Sequence, residues 1–543
     1  MADTDRQEYR KNMMLLEPLP KVITKMAVPS IISFLITSIY NLADTYFVSS
    51  LGTNATAAVS VNASLDQIIM MAGSMLAVGA ASYIARLLGA RQEEKADRVI
   101  STAFFLAMGF GAVVMVLGIT FMKPMVRLLG ATDTCEQYSI QYATYVLLVA
   151  PFMAGNFVMN QCLRSEGSAM RSMFGMGFGG ILNCILDPIF IFALDLGVAG
   201  ASMATAISKL VSFAILVFPY VTRKSLLHLA IRKFRPSWDI LREIVAVGSS
   251  SLFRNGLAVV SAIVLNNIAG GISDSVLAGV GVTNRIMMFP FGIILGFGTG
   301  FQPVAGFNWG AKRFDRVEES YRFAARTSLL GSGLMAVLLA IFARPLITLF
   351  ASADPSMQDI GALCIRLQCL ALPVHSWVAI VNSLCAGLGK AKGAVLLSTA
   401  RQGTCFLPIV FPMAYLWGAN GVASVQAVAD ILTLLLAVPL IRATKREIRA
   451  AQEAQSQGGR RHERPGPRKP PAHQPPEDAL PPPRPGPLAV RGVDAPDRPL
   501  CGAQPRGKSG GCGLLLRPGQ DQRGPGRPAS GGYGPYPAGD LSP

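Results

Sequence analysis

From residue 24 to residue 441 the chain alternates long apolar runs with short polar breaks. A helix needs about 20 apolar residues to cross a bilayer. Twelve runs meet that length: 24–49, 57–86, 98–122, 138–163, 169–194, 197–221, 240–269, 276–307, 320–346, 358–387, 393–416 and 419–441. Gly and Pro inside several of them fit this reading, because neighbouring helices re-satisfy freed backbone groups in membrane bundles. The predicted fold class is therefore all-α integral membrane. The first 20 residues are polar, mixed in charge and without a cleavage-site pattern, so the first run reads as a true span and not as a removed signal peptide.

The polar breaks set the expected orientation. Arg91, Lys95 and Arg98 follow span 2, Arg164 and Arg171 span 4, and Arg223, Lys224, Arg232, Lys233 and Arg235 span 6. Lys312, Arg313 and Arg316 follow span 8, Lys390 and Lys392 span 10, and Arg442, Lys445, Arg446 and Arg449 span 12. The other loops are short and poor in basic residues, apart from Lys123 and Arg127. The positive-inside rule then predicts an even number of spans with both termini cytoplasmic, in a bacterial inner membrane.

The chain also repeats itself. Leu-Gly-Ala-Arg at 88–91 returns as Trp-Gly-Ala-Lys at 309–312, and Gly-Val-Ala-Gly-Ala-Ser at 197–202 as Gly-Ala-Asn-Gly-Val-Ala-Ser at 418–424. Ala-Ala-Val-Ser-Val at 57–61 is matched by Leu-Ala-Gly-Val-Gly-Val at 277–282, and Gly167 by Gly389, all at an offset near 221. Six spans per half give both halves the same orientation. The predicted architecture is two six-helix bundles related by a pseudo-two-fold axis along the membrane normal, enclosing a cavity between them. The expected domains are an N-terminal lobe (1–222), a C-terminal lobe (223–450) and a disordered Pro/Gly/Arg-rich tail (451–543), too poor in apolar residues to build a core.

Composition narrows the function classes. Only 15% of residues are charged and the mean hydropathy is +0.42, against about a quarter charged in soluble domains. The formal charge of +17 sits in loop clusters and in the tail, a pattern of cytoplasmic loops and not of a nucleic-acid groove. The nine cysteines form no CxxC pair and no Cys/His ligand spacing, which points to small hydrophobes, with no metal centre. There is no phosphate loop or nucleotide module, so neither an enzyme nor an ATP-driven pump is expected, and no cofactor.

Charged groups deep in a span cost about 2.5–3.5 kcal/mol on insertion scales and are functional candidates by default. Counted from the neighbouring outer loops at about 1.5 Å per residue, Asp44, Asp66, Asp187 and Thr205 all lie roughly 12–15 Å below the outer surface. Asn183 is one turn from Asp187 on the same helix face. At the offset of 221 the second half carries Leu265, Met287, Pro408 and Gln426 in place of Asp44, Asp66, Asp187 and Thr205. The carboxylates are absent there, so the first half is the expected ion-coupling site. For Asp66 the plainer reading, a carboxylate that caps or satisfies a bent helix, is the expectation. Lys209, Arg254, Arg285, Arg366 and Asp430 read as structural charges, with Arg254 and Asp430 paired near mid-membrane, or Lys209 and Asp430 meeting across the two-fold interface. Glu166 and Glu243 read as interfacial, and His375 as a packed or hydrogen-bonded core histidine.

Several stretches together resemble the multidrug and toxic compound extrusion (MATE) family, in its DinF-like branch. They are Asn-Leu-Ala-Asp-Thr-Tyr-Phe-Val around Asp44, Asn183 with Asp187-Pro188, Ser251-Leu252-Phe253-Arg254-Asn255-Gly256, and the run from Gln302 through Asn308 to Ala311. The likeness covers roughly residues 20–445. It implies a secondary antiporter that exports organic cations in exchange for H⁺ or Na⁺, acting on small molecules as a monomer in the lipid bilayer. It also implies coupling at Asp44, Asn183, Asp187 and Thr205, whose oxygens suit Na⁺ as well as a proton. Asp66 and the tail depart from the family pattern. The rival readings are a lipid-linked precursor flippase and an exporter of an anionic metabolite, both favoured by the basic residues of the second half. A membrane scaffold has no need of paired buried acids.

Removing residues 456–543 is expected to leave transport intact. Loss of export by a truncated chain that still reaches the membrane, measured by drug resistance alongside membrane levels, overturns this.

Overall fold

In lipid every backbone amide must find its partner inside the protein, so an apolar run of this length closes its hydrogen bonds within itself as a helix. The computed structural model describes residues 3–349 and 355–462, and among the described residues the elements are helices without a strand. Helix α1 (Asp3–Leu16) leads into α2 (Leu19–Ser49), α3 (Thr53–Gly89), α4 (Glu93–Thr120), the short α5 (Met122–Leu128), α6 (Glu136–Ser165), α7 (Ala169–Pro188) and α8 (Gly197–Val221). A linker then enters α9 (Trp238–Ile272), α10 (Asp274–Gly310), α11 (Phe314–Ile341), the short α12 (Ala343–Thr348), α13 (Pro355–Gly387), α14 (Ala391–Thr399) and α15 (Leu407–His462).

Among the described residues eleven continuous stretches are long and apolar enough to cross a membrane, and the last, Ala391–Ser456, has 66 residues. At about 1.5 Å per residue it is far longer than a bilayer core of about 30 Å. Gly418 leaves helical geometry there (φ 53°, ψ −129°), dividing the stretch into two crossings. The count is then twelve, as the hydrophobic pattern predicts.

The halves repeat in conformation as well as in sequence. Left-handed backbone recurs at Gly197 and Gly418 (both φ 53°), at Arg91 (59°) and Lys312 (57°), and at Gly167 (78°) and Gly389 (79°). The short α5 and α12 occupy matching places, which hydropathy alone does not reveal. Within each half one helix is central: α6 packs on α3, α4 and α8, and α13 on α10, α11 and α15.

Between the halves α2 packs on α10, α3 on α9, and α3 on α10. A Cβ on Gly89 would lie 2.0 Å from the Phe307 carbonyl oxygen, and one on Gly310 would lie 1.9 Å from that of Arg86. Gly89 corresponds to Gly310 and Arg86 to Phe307 at the repeat offset, so these are one contact made twice about a two-fold axis. Further from the loops, Gly79 meets Ile244 and Gly248 meets Met75 just as closely (2.0 Å to the carbonyl oxygen), and a Cβ on Gly300 would lie 2.5 Å from Ala27 Cα. These seams gather toward the end that carries Arg91 and Lys312.

At the same end α1 ties the halves together. Lys11 pairs with Glu93 on α4. Asn308 Nδ2 on α10 donates to the Met14 carbonyl (3.4 Å), and Arg316 Nη2 on α11 to that of Glu17 (2.7 Å). Met13 and Met14 are buried beneath it. The linker after α8 is pinned to the first half. Glu166 accepts from Tyr220 OH (2.7 Å), Ser225 Oγ and Leu226 N (3.0 Å), and Asp97 accepts from His228 N (2.8 Å) and Lys233 Nζ. Glu166 is therefore a buried anchor and not an interfacial charge, while Glu243 is part-exposed and pairs with Arg86 (2.8 Å).

One boundary moves. Residues 451–462 continue α15 instead of opening the tail, because 451–455 are Ala, Gln and Glu, good helix formers, and the first proline after them is Pro465. The remainder of the tail, 463–543, lies outside the described residues.

Replacing Gly310 by Ala forces a methyl group into the Arg86 carbonyl. A cost of about 1–3 kcal/mol is expected, read as a lower melting temperature of the detergent-solubilised protein. Gly331→Ala, where a Cβ meets nothing within 4 Å, should leave that temperature unchanged.

Candidate functional site

Asn183 and Asp187 lie one turn apart on α7, and both are buried. Asn183 Nδ2 donates to Asp187 Oδ1 (3.1 Å) and to Thr205 Oγ1 on α8 (3.3 Å). Pro188 follows directly, and the helix widens into a π-helical turn over Ile189–Ala193. A proline has no N–H to return to the preceding turn, and single π turns recur at functional sites. Tyr142 on α6 lies beside Thr205 and within electrostatic reach of Asp44, Asp66 and Asp187. Asp44 on α2 and Asp187 are within electrostatic reach of one another.

The structure thus brings the four residues expected from the sequence into one polar cluster, with Asp66 of α3 added. Four of its buried oxygens have no hydrogen-bond partner: Asp44 Oδ1, Asp66 Oδ1, Asn183 Oδ1 and Asp187 Oδ2. Asp66 faces Asp44 and Lys209 electrostatically, so its surroundings are those of the cluster. Hard oxygens of this kind suit a proton or an alkali cation and not a transition metal. No group of three or more His, Cys, Asp and Glu able to hold a metal occurs among the described residues.

Lys209 is the residue that the sequence reading misplaces. It does not meet Asp430. Its Nζ donates to Tyr40 OH (2.8 Å) and lies 4.9 Å from the centre of that ring, within electrostatic reach of Asp44 and Asp66. The spacing held a signal: Tyr40 is one turn from Asp44 on α2, and Lys209 is one turn from Thr205 on α8. Tyr40, Asn183, Thr205, Ser208 and Lys209 line a cavity of about 20 Å³, room for about one water.

The second half is arranged differently. Asp430 on α15 pairs with Arg401, Nε to Oδ1 at 2.7 Å and Nη2 to Oδ2 at 3.4 Å, and not with Arg254. The reason is a π-helical turn at Ala400–Thr404, which the sequence reading passed over along with Arg401 itself. The Arg401 guanidinium lies 4.6 Å from the Phe291 ring centre, and Phe291 packs edge-on to His375 at 5.3 Å. His375 is buried as expected, but its Nδ1 has no hydrogen-bond partner. Arg254 has a hydrogen bond to Ser251 Oγ (3.4 Å), and no carboxylate pairs with it among the described residues. Gln302 and Asn308 are not brought to the cluster. Asn308 holds α1, and the Gln302 carbonyl lies 2.8 Å from where a Cβ on Gly387 would stand.

Residues 29–189 and 251–416 match the MatE family model. The multidrug export protein MepA of Staphylococcus saprophyticus is 26% identical over 422 residues, covering 78% of this chain and 93% of that protein. MepA of Staphylococcus aureus is 26% identical over 427 residues, covering 78% and 94%. Among solved structures, an outward-facing multidrug resistance MATE transporter of the MOP superfamily superposes with a TM-score of 0.76 at 26% identity, covering 81% of this chain and 98% of that one. A MOP superfamily transporter from Pyrococcus furiosus, described as having a binding pocket of reverse polarity that suggests a different function, gives 0.75 at 26% identity, with the same coverage.

Replacing Arg401 by Met strands Asp430 in the second half. Breaking a buried ion pair costs about 3–5 kcal/mol, and replacing both partners by apolar residues is often close to neutral. The single variant should therefore melt well below the parent in detergent, and Arg401→Met with Asp430→Leu should recover most of the loss.

Proposed function

The chain belongs to the MatE family, and from that footing we propose that it is a secondary antiporter that exports organic cations in exchange for H⁺ or Na⁺ by alternating access. The observation that carries the reading is the group of buried, unpartnered oxygens on Asp44, Asn183 and Asp187, gathered from α2 and α7 in the first half alone. Two carboxylates in a poorly solvated site resist double ionisation, so the pair holds one proton between them. Na⁺ would instead take oxygens from Asp44, Asn183, Asp187 and Thr205.

The two six-helix lobes, 1–222 and 223–450, serve as the moving bodies. Both termini lie in the cytoplasm, where the basic loops are, and the seams of Gly89 and Gly310 close that side. The cluster then faces the outside. There it takes up the coupling ion and releases the substrate; facing inward it loses the ion and admits the next cation. Each positive charge carried inward gains about 2.3 kcal/mol per 100 mV, which contributes to uphill export. No cofactor enters this scheme, and the working unit is a monomer.

A second reading, export of an anion or of a lipid-linked precursor, is favoured by Arg254, with which no carboxylate pairs among the described residues. Efflux of a fluorescent cation from proteoliposomes, against efflux of an anionic dye, separates the two.

Asp44→Asn and Asp187→Asn are each expected to abolish resistance to cationic dyes while membrane levels stay at those of the parent. Normal efflux in both variants sinks the coupling role.

A further inference from the structure

The cluster holds a resident cation. Lys209 has no family role assigned to it above, and its ammonium is fixed on Tyr40 OH at 2.8 Å. Its field reaches two of the three carboxylates, Asp44 and Asp66. Asp187 on α7 is wholly buried, and its Oδ2 is unpartnered. The ammonium thus stands on Tyr40, one turn from Asp44 on α2, and lines the same small cavity as Asn183 and Thr205, while Asp187 keeps an open oxygen.

We propose that Lys209 determines the coupling ion, occupying with its ammonium the flank that a sodium ion would need and leaving Asp187 as the place of proton uptake. This rests on the antiport reading of the same cluster and makes it more definite. The two ions differ in what they require. A proton needs one oxygen, and Asp187 Oδ2 offers it without disturbing any bond. Sodium needs a shell of oxygens drawn from both Asp44 and Asp187, and so must sit beside Asp44, in the field of Lys209. By Coulomb's law at an effective dielectric constant of about 20, a second monovalent cation about 5 Å from an ammonium is disfavoured by roughly two orders of magnitude. The adjoining cavity of about 20 Å³ lies between Lys209, Tyr40 and Asn183. It admits about one water and gives a sodium ion with its water no room to move away from the ammonium. The charge count agrees. With Asp66 present, the cluster holds three carboxylates and one lysine, so acid charge is left over for which a proton and a cationic substrate compete. Asp66, the acid outside the family pattern, then shares with Asp44 the role of counter-charge to Lys209.

The test uses the full chain in proteoliposomes, with efflux of a fluorescent monovalent organic cation driven either by a pH gradient at constant sodium or by a sodium gradient at constant pH. The wild type should respond to the pH gradient and not to sodium. Lys209→Met should acquire a sodium-driven rate, raised roughly tenfold or more over its rate without sodium. Tyr40→Phe, which removes only the hydroxyl that fixes the ammonium, should acquire a smaller one. If Lys209→Met fails to yield a monodisperse protein, Tyr40→Phe carries the test alone. Sodium-driven efflux by the wild type overturns the proposal, and so do well-folded variants that remain indifferent to sodium. Failure of the underlying antiport reading looks different: neither gradient drives efflux in the wild type, or Asp187→Asn leaves pH-driven efflux unchanged.

Discussion

A charge removed from water must be compensated inside the protein, and in lipid the compensation has to be local. The two halves meet this demand in different ways. In the second half Arg401 and Asp430 close on each other through two hydrogen bonds, and Phe291 covers the guanidinium face. That pair is self-contained. In the first half the acids outnumber the lysine, Asn183 spends its amide on Asp187 and Thr205, and several oxygens remain without partners. The two clusters thus differ in kind: the one in the second half is closed within itself, and the one in the first half leaves carboxylate and amide oxygens open.

Backbone geometry supports the difference. The π-helical turns of the two halves fall at Ile189–Ala193 and Ala400–Thr404, which are not equivalent places under the repeat. In the first half the turn follows the proline next to Asp187. In the second it lies one helical stretch earlier and brings Arg401 to the place that Gly180 holds in the first half. A small backbone irregularity thus exchanges an acid-lined site for a sealed ion pair on an otherwise shared scaffold.

Much of this was legible in the sequence because the governing constraints are one-dimensional. Span number follows from apolar length, the repeat from Gly197 and Gly418, and the depth of Asp44, Asp187 and Thr205 from counting residues from a loop. Asn183 and Asp187 announce their contact by their spacing. Rotation about the helix axis is not one-dimensional, and there the reading fails. Depth placed Arg254 level with Asp430, yet Arg401 points at it. Matching Lys209 to Asp430 confused equivalence with adjacency: residues related by a two-fold axis touch only when they lie beside it, as Gly89 and Gly310 do and Lys209 does not. Helix α1 does not stand out by hydropathy, since its sequence is mostly polar and charged and among its described side chains the buried hydrophobic ones are Met13 and Met14.

The paired glycines at the two-fold seam have a mechanical consequence. Because Gly89 on Phe307 and Gly310 on Arg86 are the same contact on opposite sides of one axis, a rotation that parts the halves about that axis loosens both by the same amount. Neither can act as a hinge for the other, and a half-parted seam would have to break the symmetry that makes each fit. The seam on that face therefore parts as a unit, and a methyl group added at either glycine is felt by both halves.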